Sequence, residues 1–133
     1  MAPDPHTHRS HPITEQMLRC IQQCTSCHAV CLHSMTVALY SRDLSRDDSL
    51  LRALQDCAEI SQTSADFMLR GSPLHGLTCE ACARICESCA DLCEQYPEND
   101  NLNACAETCR SCADSCQTMT DLAPDWRDQL SGI

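Results

Sequence analysis

The stretch CEACARICESCADLC, residues 79–93, places five cysteines at spacings of 3, 4, 3 and 4 residues. The same alternation of 3 and 4 recurs in CIQQCTSCHAVC (20–31) and in CAETCRSCADSC (105–116). Residues at this spacing lie along one stripe of an α-helix, and in a helical bundle that stripe faces the interior. The repeat therefore predicts a bundle whose interior positions hold thiols where leucine and isoleucine are usual.

Turn-like segments divide the chain into four long helical stretches. These segments are 41–48, 71–73 and 97–100, and they are charged or contain Gly or Pro. We predict an all-α fold, an antiparallel up-down-up-down four-helix bundle with a Cys-lined core. The predicted bundle spans 13–123, with helices at about 14–40, 47–69, 73–96 and 101–122, between a flexible N-terminal tail at 1–12 and a C-terminal tail at 124–133.

Local sequence signals mark where two of these helices begin. Thr14 is the predicted N-cap of the first helix. Ser72 is the predicted N-cap of the third, with Pro73 in the first helical position. The C-terminal tail is expected to hold one helical turn, near Trp126.

The composition requires something other than ordinary apolar side chains to stabilise a fold. Cysteine accounts for 14 of the 133 residues, whereas Leu, Ile, Val and Phe together account for 22. With a net charge of −10, that apolar content is typical of disordered chains unless the cysteines supply the cohesion. The negative charge also argues against a nucleic-acid partner, which requires a basic surface.

Targeting signals are not visible in the sequence. We find no apolar run long enough for a transmembrane helix, and the first twelve residues lack the apolar segment of a signal peptide. We therefore expect a cytoplasmic protein with no membrane partner. Thiols stay reduced in that compartment, where a high cysteine content favours metal or redox chemistry over disulfides.

A soft monovalent metal best explains a column of interior thiols. Thiols alone offer little apolar area, and unpaired thiolates are too costly to bury. Cu(I) neutralises thiolates and accepts two or three sulfur ligands. We predict several Cu(I) ions per chain. The predicted ligands are Cys20, Cys24, Cys27, Cys31, Cys57, Cys79, Cys82, Cys86, Cys89, Cys93, Cys105, Cys109, Cys112 and Cys116.

Twelve of these cysteines form C-x3-C pairs, in which both sulfurs lie on one helix face and can converge on one ion. Cys57 and Cys79 are left to bridge between helices. The six predicted pairs are 20/24, 27/31, 82/86, 89/93, 105/109 and 112/116.

One end of the predicted bundle collects further copper ligands. Thioether and imidazole groups can pass Cu(I) along, so we predict that copper enters there. Leu50, Leu54 and Leu102 form a dry plug at the opposite end. The residues predicted at the open end are Met17, Met68, His75 and Met119.

The remaining histidines receive no metal role. His28 and His33 lie off the cysteine stripe, where solvent-facing or interfacial positions are expected. His6, His8 and His11 fall in the predicted N-terminal tail, where we favour the absence of a role over the alternative of Cu(II) binding.

Other uses of the thiols stay open at this point. Zn(II) needs ligands in groups of four, which the unbroken stripes do not show. Fe–S clusters usually come from loop motifs of the C-x2-C-x2-C kind. Disulfides could join neighbouring helices, and a redox protein would need an exposed cysteine pair of low pKa. We identify no catalytic residue set and predict a storage, buffering and detoxification protein, not an enzyme.

The cysteine pattern resembles the bacterial copper storage proteins, in particular their cytosolic branch. Ser61 departs from the pattern, because it stands where a C-x3-C pair with Cys57 needs its second thiol. The resemblance implies cooperative loading of many Cu(I) ions, mostly by C-x3-C pairs, and assembly as a homotetramer. A copper chaperone or a recipient copper protein is a further expected partner. The matching stretches are CIQQCTSCHAVC (20–31), CAEISQTSADFMLRGSP (57–73), CEACARICESCADLC (79–93) and CAETCRSCADSC (105–116).

Overall fold

The computed structural model describes residues 12–123 and 126–131, and the described chain is helical in all its regular structure. A single 3-10 turn, Leu44–Arg46, lies between the first two helices. The predicted tail at 1–12, with His6, His8 and His11, lies outside the described residues except for Pro12. The helices are α1 (Glu15–Leu39), α2 (Asp48–Leu69), α3 (His75–Cys93), α4 (Asp100–Leu122) and α5 (Trp126–Ser131).

Side-chain caps begin three of the four long helices. The hydroxyl of Thr14 accepts a hydrogen bond from the backbone N–H of Met17, which confirms the predicted cap of α1. Asp47 caps α2 and Asn99 caps α4 in the same way. Each cap satisfies a backbone donor that the first helical turn leaves unpaired.

The start of α3 differs from the predicted cap. The hydroxyl of Ser72 accepts from the N–H of Leu74 at 3.1 Å, and the helix begins only at His75. Gly71 has a φ of 65°, and the chain there forms hydrogen bonds back to Met68 and Phe67 that end α2. This motif at the C-terminus of α2 needs a residue in the left-handed conformation, and the residues after it form the turn. Therefore α3 begins later in the sequence than predicted.

The four long helices form a closed ring. α1 packs against α2 and α4, and α3 packs against the same two helices. Short connections join helices that are neighbours in the ring, so the bundle is antiparallel with up-down-up-down order, as the sequence predicted. No helix of the described residues combines the length and the apolar character needed to cross a membrane.

Small residues beside the cysteines allow the helices to approach one another closely. Alanines directly follow interior positions on α2, α3 and α4, and each is buried. They recur every seven residues on each helix, the repeat of a bundle interface. These alanines are Ala58, Ala65, Ala83, Ala90, Ala106 and Ala113.

The described part of the C-terminal segment forms α5, at the place where the sequence predicted a helical turn. α5 packs against α3, and its Trp126 is buried. A Cβ atom added at Gly76 would lie 2.4 Å from a ring carbon of Trp126 and 2.8 Å from the carbonyl oxygen of Ala123. Only a residue without a side chain therefore fits between α3 and this segment.

Candidate metal centre

All fourteen cysteines face the interior of the bundle. Each is at most 1% exposed, and each is a free thiol. They come from four helices, with four on α1, one on α2, five on α3 and four on α4. The heptad alternation of 3 and 4 residues produces this arrangement, because it keeps successive thiols on the inward stripe of each helix.

The thiols form one continuous network and not separate sites. Most close sulfur contacts join different helices, such as the 3.5 Å contact between the Sγ atoms of Cys24 and Cys116. Of the predicted C-x3-C pairs, 27/31 and 82/86 have Sγ atoms 3.9 and 3.7 Å apart. These distances far exceed the 2.05 Å of a disulfide bond and leave the sulfurs available as ligands.

Cys57 links α2 to the other three helices. Its Sγ lies 3.6 Å from that of Cys27 on α1, 3.5 Å from that of Cys86 on α3 and 3.7 Å from that of Cys109 on α4. This is the bridging position that the sequence suggested for an unpaired cysteine. The centre of the bundle therefore places sulfurs from all four helices within reach of one another.

Four groups of sulfurs are compact enough to hold a metal ion. Within each group the Sγ atoms all lie within 4.8 Å of one another. Two groups contain four cysteines, which corrects the expectation that the thiols do not gather in fours. The spacing of cysteines within one helix cannot show these groups, because each group contains cysteines from three helices. The groups are Cys24/Cys82/Cys112/Cys116, Cys27/Cys31/Cys57/Cys109, Cys20/Cys79/Cys116 and Cys27/Cys86/Cys112.

Shared members distinguish this arrangement from a set of isolated sites. Cys116, Cys27 and Cys112 each belong to two of the groups. A thiolate that bridges two ions suits Cu(I), which needs only two or three sulfur ligands, whereas a closed zinc site keeps four ligands to itself. The geometry favours a cluster of bridged soft ions along the bundle axis.

Neighbouring thiols shift one another's pKa values. Hydrogen bonds from Cys116 and Cys20 lower the pKa of Cys79 to about 4, because they stabilise its thiolate. The hydrogen bond with Cys112 is the largest of several that raise the pKa of Cys116. Thiolate is the form that binds metal, and the hydrogen bonds from neighbouring thiols favour it at Cys79.

Two serines of α2 lie among the thiols. The Oγ of Ser64 is 3.3 Å from the Sγ of Cys79, and the Oγ of Ser61 is 3.7 Å from the Sγ of Cys82 and 3.8 Å from that of Cys86. The sequence singled out Ser61 as a missing thiol. It did not single out Ser64, although Ser64 occupies the next position of the same stripe.

The predicted open end holds a cavity of about 240 Å³. Met17, His75 and Met119 line it, together with Thr14 at the start of α1. The structure thus brings together three of the four residues expected there. The Nδ1–H of His75 donates to the carbonyl oxygen of Ser72 at 2.9 Å, which orients the imidazole ring.

Met68 lies deeper than the cavity. Its side chain is fully buried, and its Sδ is 3.9 Å from the Sγ of Cys79. This thioether therefore stands between the open end and the first thiols of the column. The opposite end is filled by Leu50, Leu54 and Leu102, each at most 1% exposed.

Two histidines of α1 lie away from the column. The Nδ1 of His28 is 2.7 Å from the carbonyl oxygen of Ala58, which ties α1 to α2. His33 is exposed. The structure places both where the sequence predicted, at an interface and in solvent.

Comparison with known proteins identifies relatives of this chain. A family model described as copper storage protein matches residues 8–121. The Cu(I)-bound copper storage protein BsCsp3 is 30% identical, with a TM-score of 0.75 over 80% of this chain and 99% of that one. A protein from Nitrosospira multiformis is 38% identical, with a TM-score of 0.74 over 81% of this chain and 97% of that one. No curated protein sequence matches.

A further similar structure is that of the copper storage protein Ccsp from Streptomyces lividans, loaded with 10 copper equivalents. It is 28% identical, with a TM-score of 0.76 over 80% of this chain and 85% of that one. The Streptomyces protein is described as a cytosolic copper storage protein.

Proposed function

The chain belongs to the copper storage protein family, and on that premise we propose that it stores many Cu(I) ions inside its bundle. The observation that carries this proposal is the continuous column of fourteen buried free thiols contributed by four helices. The proposed ligands are the fourteen cysteines, which hold the ions singly or as bridges between two ions. The same binding would buffer and detoxify copper.

Charge balance explains why the column suits a monovalent cargo. Each Cu(I) that binds displaces one thiol proton to solvent, so equal numbers of ions and thiolates leave the interior neutral. A divalent ion at the same density would bury a large net charge. Storage is the proposed role, and not catalysis, because the ligands fill the interior of the bundle.

Uptake is proposed to occur at the end lined by Met17, His75 and Met119. Thioether and imidazole groups bind Cu(I) more weakly than thiolates, so they can receive an ion and release it inward. Met68 would be the next ligand, because its Sδ lies beside Cys79, the first thiol of α3. The leucine plug at the other end offers copper no ligand.

Assembly and location follow as further parts of the proposal. We propose a cytoplasmic homotetramer that exchanges copper with a chaperone or a recipient protein. Most large apolar side chains exposed in the described residues lie on or beside α1, and burial against a second copy would remove them from water. They are Ile13, Leu18, Leu32, Val37, Leu39 and Tyr40. Sedimentation of a Leu32→Glu variant tests the proposed tetramer. If the copies contact one another through α1, the tetramer of this variant should dissociate.

Titration with Cu(I) tests the storage function. The reduced protein is titrated anaerobically against a chromophoric Cu(I) chelator, and the tightly held ions are counted. We expect on the order of ten ions or more per chain. Loss of all thiols in air without copper binding would indicate disulfides and overturn the proposal.

Zinc is a second candidate because two groups contain four cysteines each. A zinc protein would fill these two closed sites and would hold no more than about three ions. The same titration repeated with Zn(II), followed by competition with Cu(I), distinguishes the two. We expect Cu(I) to displace zinc and then to continue binding beyond that number.

A further inference from the structure

The α2 wall of the column changes from thiol to hydroxyl halfway along the bundle. Cys57 is followed on the inward stripe by Ser61, Ser64 and then Met68, and all four are fully buried. Both hydroxyls lie against sulfurs of α3, at 3.3 Å in the case of Ser64 and Cys79. The other three helices carry cysteines at the positions facing this wall.

A hydroxyl cannot replace a thiolate as a ligand of Cu(I). Alcohol oxygen is a hard donor that stays protonated, and Cu(I) selects soft sulfur. A hydroxyl can, however, donate a hydrogen bond to a thiolate, and a charged acceptor makes such bonds stronger. In the copper-loaded core the sulfurs have lost their protons and can only accept, so the serine hydroxyls must be the donors.

We propose that Ser61 and Ser64 keep copper off the α2 wall between Cys57 and Met68 and partly neutralise the sulfurs opposite by hydrogen bonding. Ser61 donates its single hydroxyl proton to the sulfur of either Cys82 or Cys86, and Ser64 donates to that of Cys79. The ions stored in this half of the bundle then lie toward α1, α3 and α4. This inference rests on the proposed storage function and concerns where the ions lie and how firmly they are held.

Capacity tests the first part of the inference. Ser61→Cys is nearly isosteric, so the fold is retained, and it completes a C-x3-C pair with Cys57. We expect the number of tightly held Cu(I) ions to rise by about one per chain. An unchanged number would show that Ser61 does not limit capacity and would overturn this part.

Retention tests the second part. In a variant carrying Ser61→Ala and Ser64→Ala, we expect the same capacity as the wild type. We also expect roughly tenfold weaker retention of the ions beside α3 against a competing chelator, because their sulfurs lose a hydrogen bond to a charged acceptor. The corresponding variant with Thr at both positions keeps the hydroxyls and should retain copper as the wild type does.

Ser34→Ala is the matched control. Ser34 is a third buried serine on an inward stripe, and its Oγ has no hydrogen-bond partner among the described residues. We expect no change in copper retention for this variant. Equal losses in the Ser34→Ala and the double alanine variants, or no loss in either, would overturn the second part. A wild-type protein that held few ions in the same titration would instead overturn the proposed storage function itself.

Discussion

The Sγ atom of Cys57 lies 3.5 Å from the Sγ atom of Cys86, although 29 residues of chain separate them. Cys57 is the one cysteine in the sequence of α2, and its contacts reach all three other helices. A metal bound at this sulfur would therefore join α2 to the rest of the bundle.

Removal of that thiol should reduce the stability that copper confers. For Cys57→Ser we expect capacity to fall by about one ion. We also expect the rise in melting temperature on Cu(I) loading to be markedly smaller, since α2 loses its one thiolate ligand. Calorimetry measures the melting temperature of the copper-free protein and that of the copper-loaded protein.

Cys93→Ser provides the control for this comparison. It also removes one thiol, but Cys93 lies at the end of α3, a helix that keeps four other cysteines. The increment in melting temperature should stay close to that of the wild type. Equal increments in the two variants would contradict a special role for Cys57.

Replacement of the open-end ligands should change rates and leave capacity intact. With Met17, Met68, His75 and Met119 all replaced by Leu, we expect copper uptake and removal to slow several-fold, because no weak ligand receives the ion. Stopped-flow transfer from and to a chelator measures both rates. Leu50→Met and Leu54→Met at the plugged end should leave the rates unchanged, and unaltered rates in the fourfold variant would refute uptake at this end.

Gly76→Ala should displace α5 from the bundle. The added Cβ would overlap the ring of Trp126 and the carbonyl oxygen of Ala123, and we expect a loss of about 1–3 kcal/mol in the free energy of unfolding. Trp126 is the one tryptophan in the chain, so its fluorescence should shift to longer wavelength as the ring becomes exposed. In a Trp126→Ala background the same substitution should cost less, and an equal cost would contradict the packing described.

The hydrogen bond from Tyr96 to Asp47 should contribute stability between acidic and strongly basic pH. It lowers the pKa of Asp47 below 3.8, so this contribution is complete above about that pH and is lost as the pH falls through the lower folded value. It raises the pKa of Tyr96 above 10.0, so the contribution is also lost as the pH rises through that higher value.

Tyr96→Phe therefore should destabilise the protein by about 1 kcal/mol near neutral pH, with a smaller difference at both extremes. Denaturant unfolding across the pH range measures this. Tyr40→Phe is the control, because Tyr40 is 89% exposed and should make no difference at any pH. A difference independent of pH would show that Tyr96 acts by packing alone.

Several features of the site could be predicted from single helices. The inward stripe of thiols and the Thr14 cap depend on spacing or on contacts within one turn, and the leucine plug requires in addition only the antiparallel order of the helices. The two groups of four sulfurs could not be predicted in this way, because each depends on the register of three helices. The contact of Ser64 with Cys79 and the burial of Trp126 against Gly76 likewise depend on how separate segments meet.

The sequence by itself determined that this chain forms a four-helix bundle lined with thiols, because the spacing of the cysteines sets their direction on each helix. Tertiary structure alone decided which sulfurs meet, which face a serine and how far Met68 lies inside the open end. The physical reason is that helical periodicity fixes the direction in which each side chain projects around the axis of its helix. The axial offset between neighbouring helices is set by packing of the whole bundle.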